Sequence, residues 1–414
     1  MPETVETIIV GAGHGGLSVS CHLDKAGHGH LVLERGEIGE TWRSQRWDSF
    51  KVNSPDSVNQ LPGDQSPLSE PDGFWHRDEL LQNFESYASA MNLPVRTGVN
   101  VTGISTGPRG KGFEVKAEGG SYQAANVVVA SGALQTPHIP TGSKELPSWL
   151  DQMHTAAYRN PDQLKPGGVL IIGSAQSGVQ IAEELIEAGR PVYLCTSKVG
   201  RSIRQYRGRD VLYRGIATGN LYQTVADLED PNMQLAAQGQ VSGTRGGHTI
   251  SLQQLARDGV VLLGGLKGVS GDQLSLRENL VENCDFADGV SQRREIQIDA
   301  FIEKNGIDAP PAADDPIDVP NPDLLAAPVR ESLDLKQEGI STVIWCTGFT
   351  ADFSWIHGLE LTSRGAPIHT DGASSIPGLY FNGFLWLRNR ASGLIYEGVR
   401  DSEHIASMIT VAAL

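Results

Sequence analysis

Cysteine is scarce in this chain. Four stand in 414 residues, at positions 21, 195, 284 and 346, with no CxxC spacing. That excludes a disulfide framework, and a reducing, cytoplasmic setting fits best. No metal site is expected. Basic residues are also in the minority: Lys and Arg number 33 against 49 Asp and Glu, a net charge of −16. Such a balance argues against nucleic acid and anionic membrane surfaces as partners, while leaving room for a local basic pocket around one anionic cofactor. Long apolar runs are missing. Val127-Val128-Val129-Ala130 is strand-sized, and nothing approaches the ~18–20 residues of a membrane-spanning helix. The opening MPETVETIIVGAG enters a strand directly. It has no basic segment or cleavage site, so no secretory signal is expected.

Glycine, in contrast, is abundant at 48 residues, which suits an α/β protein with many tight turns. A single core rarely grows past ~250–300 residues, so two domains are expected. Thr7–Val10 reads as a strand, Leu17–Lys25 as a helix, and Leu31–Leu33 as a second strand ending at Glu34. Val169–Ile172, Ser177–Glu187 and Val192–Leu194 read the same way. The two βαβ units superpose without a gap: Gly11 on Gly173, Gly16 on Gly178, Ala26-Gly27 on Ala188-Gly189, and Glu34 on Thr196. A duplicated mononucleotide-binding unit implies two nucleotide sites. Residues 78–91 show helical apolar spacing, 205–335 read as less regular, and Ala309–Pro322 as a surface loop. A last helix is expected over Gly398–Val411.

Gly11-Ala12-Gly13-His14-Gly15-Gly16 is a GxGxxG loop between strand and helix, with Glu34 at the end of the next strand. The first glycine permits the tight turn, the second the close approach of a pyrophosphate, and the third close packing of helix on strand. An anion is favoured at the helix N-terminus. Glu34 can accept hydrogen bonds from ribose hydroxyls and would repel a 2′-phosphate, so this site suits FAD or NAD. The second loop, Gly173-Ser174-Ala175-Gln176-Ser177-Gly178, carries Ala at the central position and Thr196 in the acidic slot. With that repulsion gone, and with Lys198 and Arg201 nearby to pair with a phosphate, the pattern points to NADPH. The alternative is that Lys198, Arg201 and Arg204 simply face solvent.

From these motifs onward the chain resembles the flavin-containing monooxygenases, within the class B flavoprotein monooxygenases and closest to their compact bacterial members. The resemblance rests on the two loops, Gly39-Glu40-Thr41-Trp42-Arg43, Asn53-Ser54-Pro55, Trp345-Cys346-Thr347-Gly348-Phe349 and Gly378-Leu379-Tyr380-Phe381-Asn382-Gly383. It implies two Rossmann-like dinucleotide-binding domains. An NADPH domain, residues 161–343, is inserted in an FAD domain built from 1–160 and 344–414. Cofactor-binding positions are then Gly11, Gly13, His14, Gly15, Gly16, Glu34, Arg35, Thr41, Trp42, Val101, Gly132, Gly348 and Gly383 for FAD. For NADPH they are Gly173, Ala175, Gln176, Ser177, Gly178, Thr196, Lys198 and Arg201. The implied activity is insertion of one oxygen atom from O2, through a C4a-hydroperoxyflavin, into a small nitrogen or sulfur nucleophile or a carbonyl compound. The family's linker fingerprint is reduced here to His154-Thr155-Ala156-Ala157-Tyr158.

Asn53 is the expected catalytic residue, a neutral amide that can hydrogen-bond the oxygenated cofactor without titrating. A turn-forming role before Ser-Pro is its alternative, and Asn59 is the substitute. His14 reads as pocket lining, His154 as structural in the linker, and the cysteines as small buried hydrophobes. A flavin oxidase or reductase that releases peroxide, and a flavin-bound redox sensor, remain open beside the monooxygenase. A homodimer is one assembly the sequence leaves open.

Overall fold

The computed structural model describes residues 2–107 and 110–411. Two sheets organise the chain, one mixed around a parallel centre and one wholly parallel. In the first, the central strand β1 (Glu3–Val10) pairs with β2 (His30–Leu33) on one side and with β3 (Gly120–Val129) on the other. Val95–Arg96 extends the β2 side and Leu379–Phe381 the β3 side, so the C-terminal part of the chain completes a sheet begun at its start. The inner residues Ile8, Ile9, Val127, Val128 and Val129 are sealed from solvent, as strands covered on both faces require. Helix α1 (His14–Lys25) crosses from β1 to β2 and packs against α2 (Ile395–Val411).

The second sheet runs Val261–Leu263, Val192–Cys195, Gly168–Ile172, Ile340–Trp345, Asp151–His154, all parallel. Asp151–His154 therefore belongs with the second sheet, although it precedes the boundary expected at residue 160. Its backbone completes the sheet edge beside Ile340–Trp345, a pairing that a four-residue strand does not announce. Two chain passages join the units, where Thr136–Pro137 pairs antiparallel with Phe349–Thr350.

The expected elements stand within a few residues of their positions. The larger departure is a 25-residue helix over Leu280–Lys304, in the stretch read as irregular. Its buried positions, Asn283, Cys284, Ala287, Ser291, Ile298 and Ile302, keep helical spacing, but four of the six are small or polar. A hydrophobicity pattern is faint when the inward face is built from Cys, Ala and Ser. Among the described residues, no helix is long and apolar enough to cross a membrane.

Candidate functional site

The two glycine loops have almost the same backbone. Gly11 has φ +107° and Gly173 φ +103°, values that only glycine adopts without strain. A methyl group on Gly16 would run into the Gly11 carbonyl oxygen, and one on Gly178 into that of Gly173. Each third glycine thus lets the helix sit directly on the strand end. The central residues differ from these. Gly13 has φ −83° and ψ −172°, Ala175 φ −72° and ψ −175°, ordinary extended backbone in both. A Cβ on Gly13 would meet no atom within 4 Å. Its backbone is therefore open toward the space in front of the helix.

That space is a cavity of about 510 Å³, within the roughly 300–1,000 Å³ of small-molecule sites. Gly11, Gly13, His14, Gly15, Glu34, Arg35, Thr41, Trp42, Val101, Gly132 and Gly383 all line it. Gly16 lies behind the wall, against Gly11. Glu34 is held by its own loop. One carboxylate oxygen accepts from Ala12 N at 2.7 Å and the other from Gly36 N at 3.0 Å. Gly15 and Gly383 approach closely, and Asn382 Nδ2 donates to the Gly15 carbonyl at 2.9 Å, tying the last strand to the first loop. His14 is enclosed, and burial draws its pKa down to about 4, so it is a neutral imidazole. Its Nε2 is buried with no partner among the described residues. An open glycine backbone, an acid at the far end and an orphaned imidazole nitrogen fit an extended dinucleotide.

Sequence reasoning missed other parts of this wall. Arg46, Asn100, Gln135, Asp352, Trp355 and Leu385 also line it. Arg46 had a partial signal, a cation set among Trp42, Trp47 and Phe50, though Arg43 shares that stretch; the rest come from loops that folding brings in.

Around the second loop the side chains are largely engaged by protein. Gln176 clasps the backbone of Val241, its Oε1 accepting from Val241 N at 3.1 Å. Gln240 donates to the Ser174 carbonyl. Thr196 is buried, donates to the Leu263 carbonyl at 2.7 Å and accepts from Asn283 Nδ2 at 3.0 Å. Lys198 is exposed, 3.2 Å from Glu282. Arg201 corrects the expectation of a phosphate partner. Its guanidinium is buried between Asp288 at 2.5 Å and Asp318 at 2.6 Å, so it is committed within the fold. Arg204 likewise does not face solvent. It is buried 2.8 Å from Asp210 and lies over the Phe74 ring.

Asn53 is not part of the cavity wall. It sits where the units meet. Its Oδ1 accepts from Gln180 Nε2 at 3.1 Å and from Gly243 N at 3.2 Å, and its carbonyl accepts from Arg204 at 2.8 Å. Its amide NH2 donates to no group among the described residues. Asn59 is a turn brace instead. Its Nδ2 donates to the Ser54 carbonyl at 2.9 Å and its Oδ1 accepts from Ser54 Oγ at 2.6 Å, so both ends of its amide are tied to the same turn. In the linker, His154 Nδ1 accepts from Ala156 N, so Nε2 carries the proton and donates to the Gly348 carbonyl at 2.9 Å. Gly348, at φ +82°, is a turn in that linker and does not line the cavity.

All four cysteines are buried and unpaired. Burial pushes the thiols of Cys195, Cys284 and Cys346 up to about 12, far from the thiolate that redox chemistry requires.

A family model described as pyridine nucleotide-disulphide oxidoreductase matches residues 8–213. The chain is similar to an uncharacterized CzcO-like oxidoreductase of Geobacillus kaustophilus, 28% identical over 421 residues and 99% of each chain. It is similar to an indole-3-pyruvate monooxygenase of Oryza sativa, 28% identical over 44% of this chain and 45% of that one. Among solved structures, a flavin-containing monooxygenase from Stenotrophomonas maltophilia shares the fold. The TM-score is 0.66 with 100% of both chains covered, at 18% identity.

Proposed function

We propose that the chain is an oxidoreductase of the flavin-containing monooxygenase kind, which spends NADPH and O2 to place one oxygen atom on a small substrate. The substrate is a soft nitrogen or sulfur nucleophile or a carbonyl compound. FAD and NADPH are the cofactors. FAD belongs to the first loop and its cavity, where Glu34 takes the ribose and the open backbone at Gly13 takes the pyrophosphate. NADPH belongs to the second loop, where Thr196 in place of an acid and the exposed Lys198, whose only acid partner is the equally exposed Glu282 among the described residues, favour a 2′-phosphate. Bound FAD, reduced by NADPH, supplies the electrons that activate O2.

The observation that carries the reading is Asn53. It is a neutral amide at the seam between the two loops, fastened by Gln180 and Gly243 with its NH2 left over. A group held there can donate a hydrogen bond without taking a proton. The buried, isolated thiols weigh against disulfide reduction by the chain's own cysteines.

The test is NADPH-linked oxygen uptake across amines, thioethers and ketones, with product and peroxide both measured. Product formed in proportion to NADPH is expected. Peroxide alone would make the protein an oxidase, and no NADPH consumption would make it a sensor.

A further inference from the structure

Arg46 is a cation in the cavity wall with no carboxylate to answer it among the described residues. The nearby acids are taken. Asp48 pairs with Arg77 at 3.3 Å and accepts from Asn160 at 2.7 Å, Glu85 pairs with Arg43 at 2.6 Å, and Glu40 accepts from Glu37 N at 3.2 Å. The Arg46 guanidinium lies 5.3 Å from the Trp42 ring centre and 5.7 Å from that of Phe50. Its hydrogen bond is to the neighbouring Gln45 carbonyl, at 3.1 Å. Loss of water draws its pKa down to about 10, which still leaves it charged at neutral pH. A charge so placed, without a partner, is destabilising unless an anion arrives with the ligand.

The position of Arg46 says which part of the ligand it meets. Gly39 N bonds the Ala12 carbonyl at 3.1 Å, so the helix Glu40–Gln45 starts beside the first glycine loop. Arg46 follows that helix, roughly 9 Å along it at 1.5 Å per residue. There the chain is stitched to the linker and the second unit. Asp48 N bonds the Arg159 carbonyl at 2.7 Å, and Arg159 in turn bonds the Ser44 carbonyl. The loop holds the phosphates and Glu34 the adenosine ribose, so Arg46 stands at the flavin-ring end, on the side from which NADPH comes.

Reduction by hydride brings two electrons and one proton to the ring and leaves NADP+. No second proton accompanies them, so the ring gains one negative charge. We propose that Arg46 is the counter-charge of reduced FAD, selectively stabilising the reduced ring over the oxidised one. The proposal rests on the assignment of FAD to this cavity, but not on oxygen transfer or on a substrate.

Anaerobic titration with dithionite tests it without NADPH, O2 or substrate. Arg46→Met is expected to keep oxidised FAD within about threefold of the wild-type affinity. It should lose at least tenfold in preference for the reduced form, which lowers the potential by about 30 mV for a two-electron couple. Arg46→Lys should restore most of that shift. Apoprotein of Arg46→Met should melt no lower than wild type, because an unpaired charge has been removed. An unchanged potential overturns the proposal. So does failure of folded Arg46→Met to take up FAD, since the charge then serves the phosphates. Should Arg46→Met not fold, the wild-type potential decides. One proton per two electrons gives about 30 mV per pH unit, expected to persist down to pH 5.5, whereas about 59 mV per unit above that pH overturns the assignment. Wild-type protein that purifies without FAD and cannot be loaded with it fails the cavity assignment itself, a result distinct from all of these.

Discussion

Replacing Gly16 by alanine and Gly13 by valine should separate what the first glycine loop does for the fold from what it does for the cofactor. A methyl group at residue 16 would be driven into the Gly11 carbonyl oxygen and would lie 3.4 Å from Ile9 Cγ2. Gly11 cannot easily give way, because its N–H is bonded to the Leu33 carbonyl at 2.8 Å and Ile9 lies in the central strand. Overpacking of this kind costs ~1–3 kcal/mol. At ~2–4 °C per kcal/mol for a unit of this size, the apoprotein should melt roughly 2 to 12 °C lower. Residue 13 behaves in the opposite way. A Cβ there meets nothing and the backbone is extended, so Gly13→Val should stay within about 1 kcal/mol of wild type, the difference expected between Gly and Val at a helix N-cap. Its branched side chain stands where the pyrophosphate should approach, and the protein should purify colourless. Thermal melts of the two apoproteins and flavin absorbance of the purified forms read both effects. A yellow Gly13→Val protein with full flavin content, or a Gly16→Ala apoprotein that melts with wild type, would refute the reasoning.

Asn53→Ala should leave NADPH-driven flavin reduction nearly unchanged in rapid mixing. Loss of one hydrogen bond, ~1–3 kcal/mol, should raise the ratio of peroxide to product roughly 5- to 150-fold; an unchanged ratio leaves Asn53 as a turn residue. Lys198→Ala should narrow the preference for NADPH over NADH, read as the ratio of reduction rates at subsaturating nucleotide. Arg201→Ala should instead destabilise the protein by about 3 kcal/mol, because Asp288 and Asp318 lose their shared partner; equal melting temperatures would sink that assignment. Burial raises the Asp401 carboxyl to about 6, above its ordinary 3.8. A raised acid contributes stability below its unfolded pKa and loses it as pH rises through 6. Asp401→Asn should therefore raise the unfolding free energy at pH 7–8 and not at pH 4, by at most about 3 kcal/mol, read from denaturant melts at each pH. A gain of the same size at both pH values would contradict this.

Much of the architecture is written locally. Gly11 and Gly173 stand at positive φ, and Gly16 and Gly178 stand where a methyl would collide with the carbonyl of their own loop, so these positions demand glycine on local grounds. The repeat, its two helices and the acid at 34 against Thr196 are legible for that reason, and the layout of two nucleotide loops follows from them. The helix Leu280–Lys304 was not legible, because the inward face of its first half is Asn283, Cys284, Ala287 and Ser291, which carry little hydrophobic signal.

The site divides in the same way. The sequence by itself determined the backbone cradle around Gly13 and the carboxylate of Glu34, whose partners are Ala12 and Gly36 in the same unit. Only the tertiary structure decided the fate of the long polar side chains. Arg201 pairs with Asp288 and Asp318, Asn53 is fastened by Gln180 and Gly243, and Arg46 is left with no acid among the described residues. The physical reason is reach. A glycine's role is set by its own φ, ψ and immediate neighbours. A guanidinium or an amide takes whichever partner folding brings within about 3 Å, and those partners lie scores of residues away along the chain.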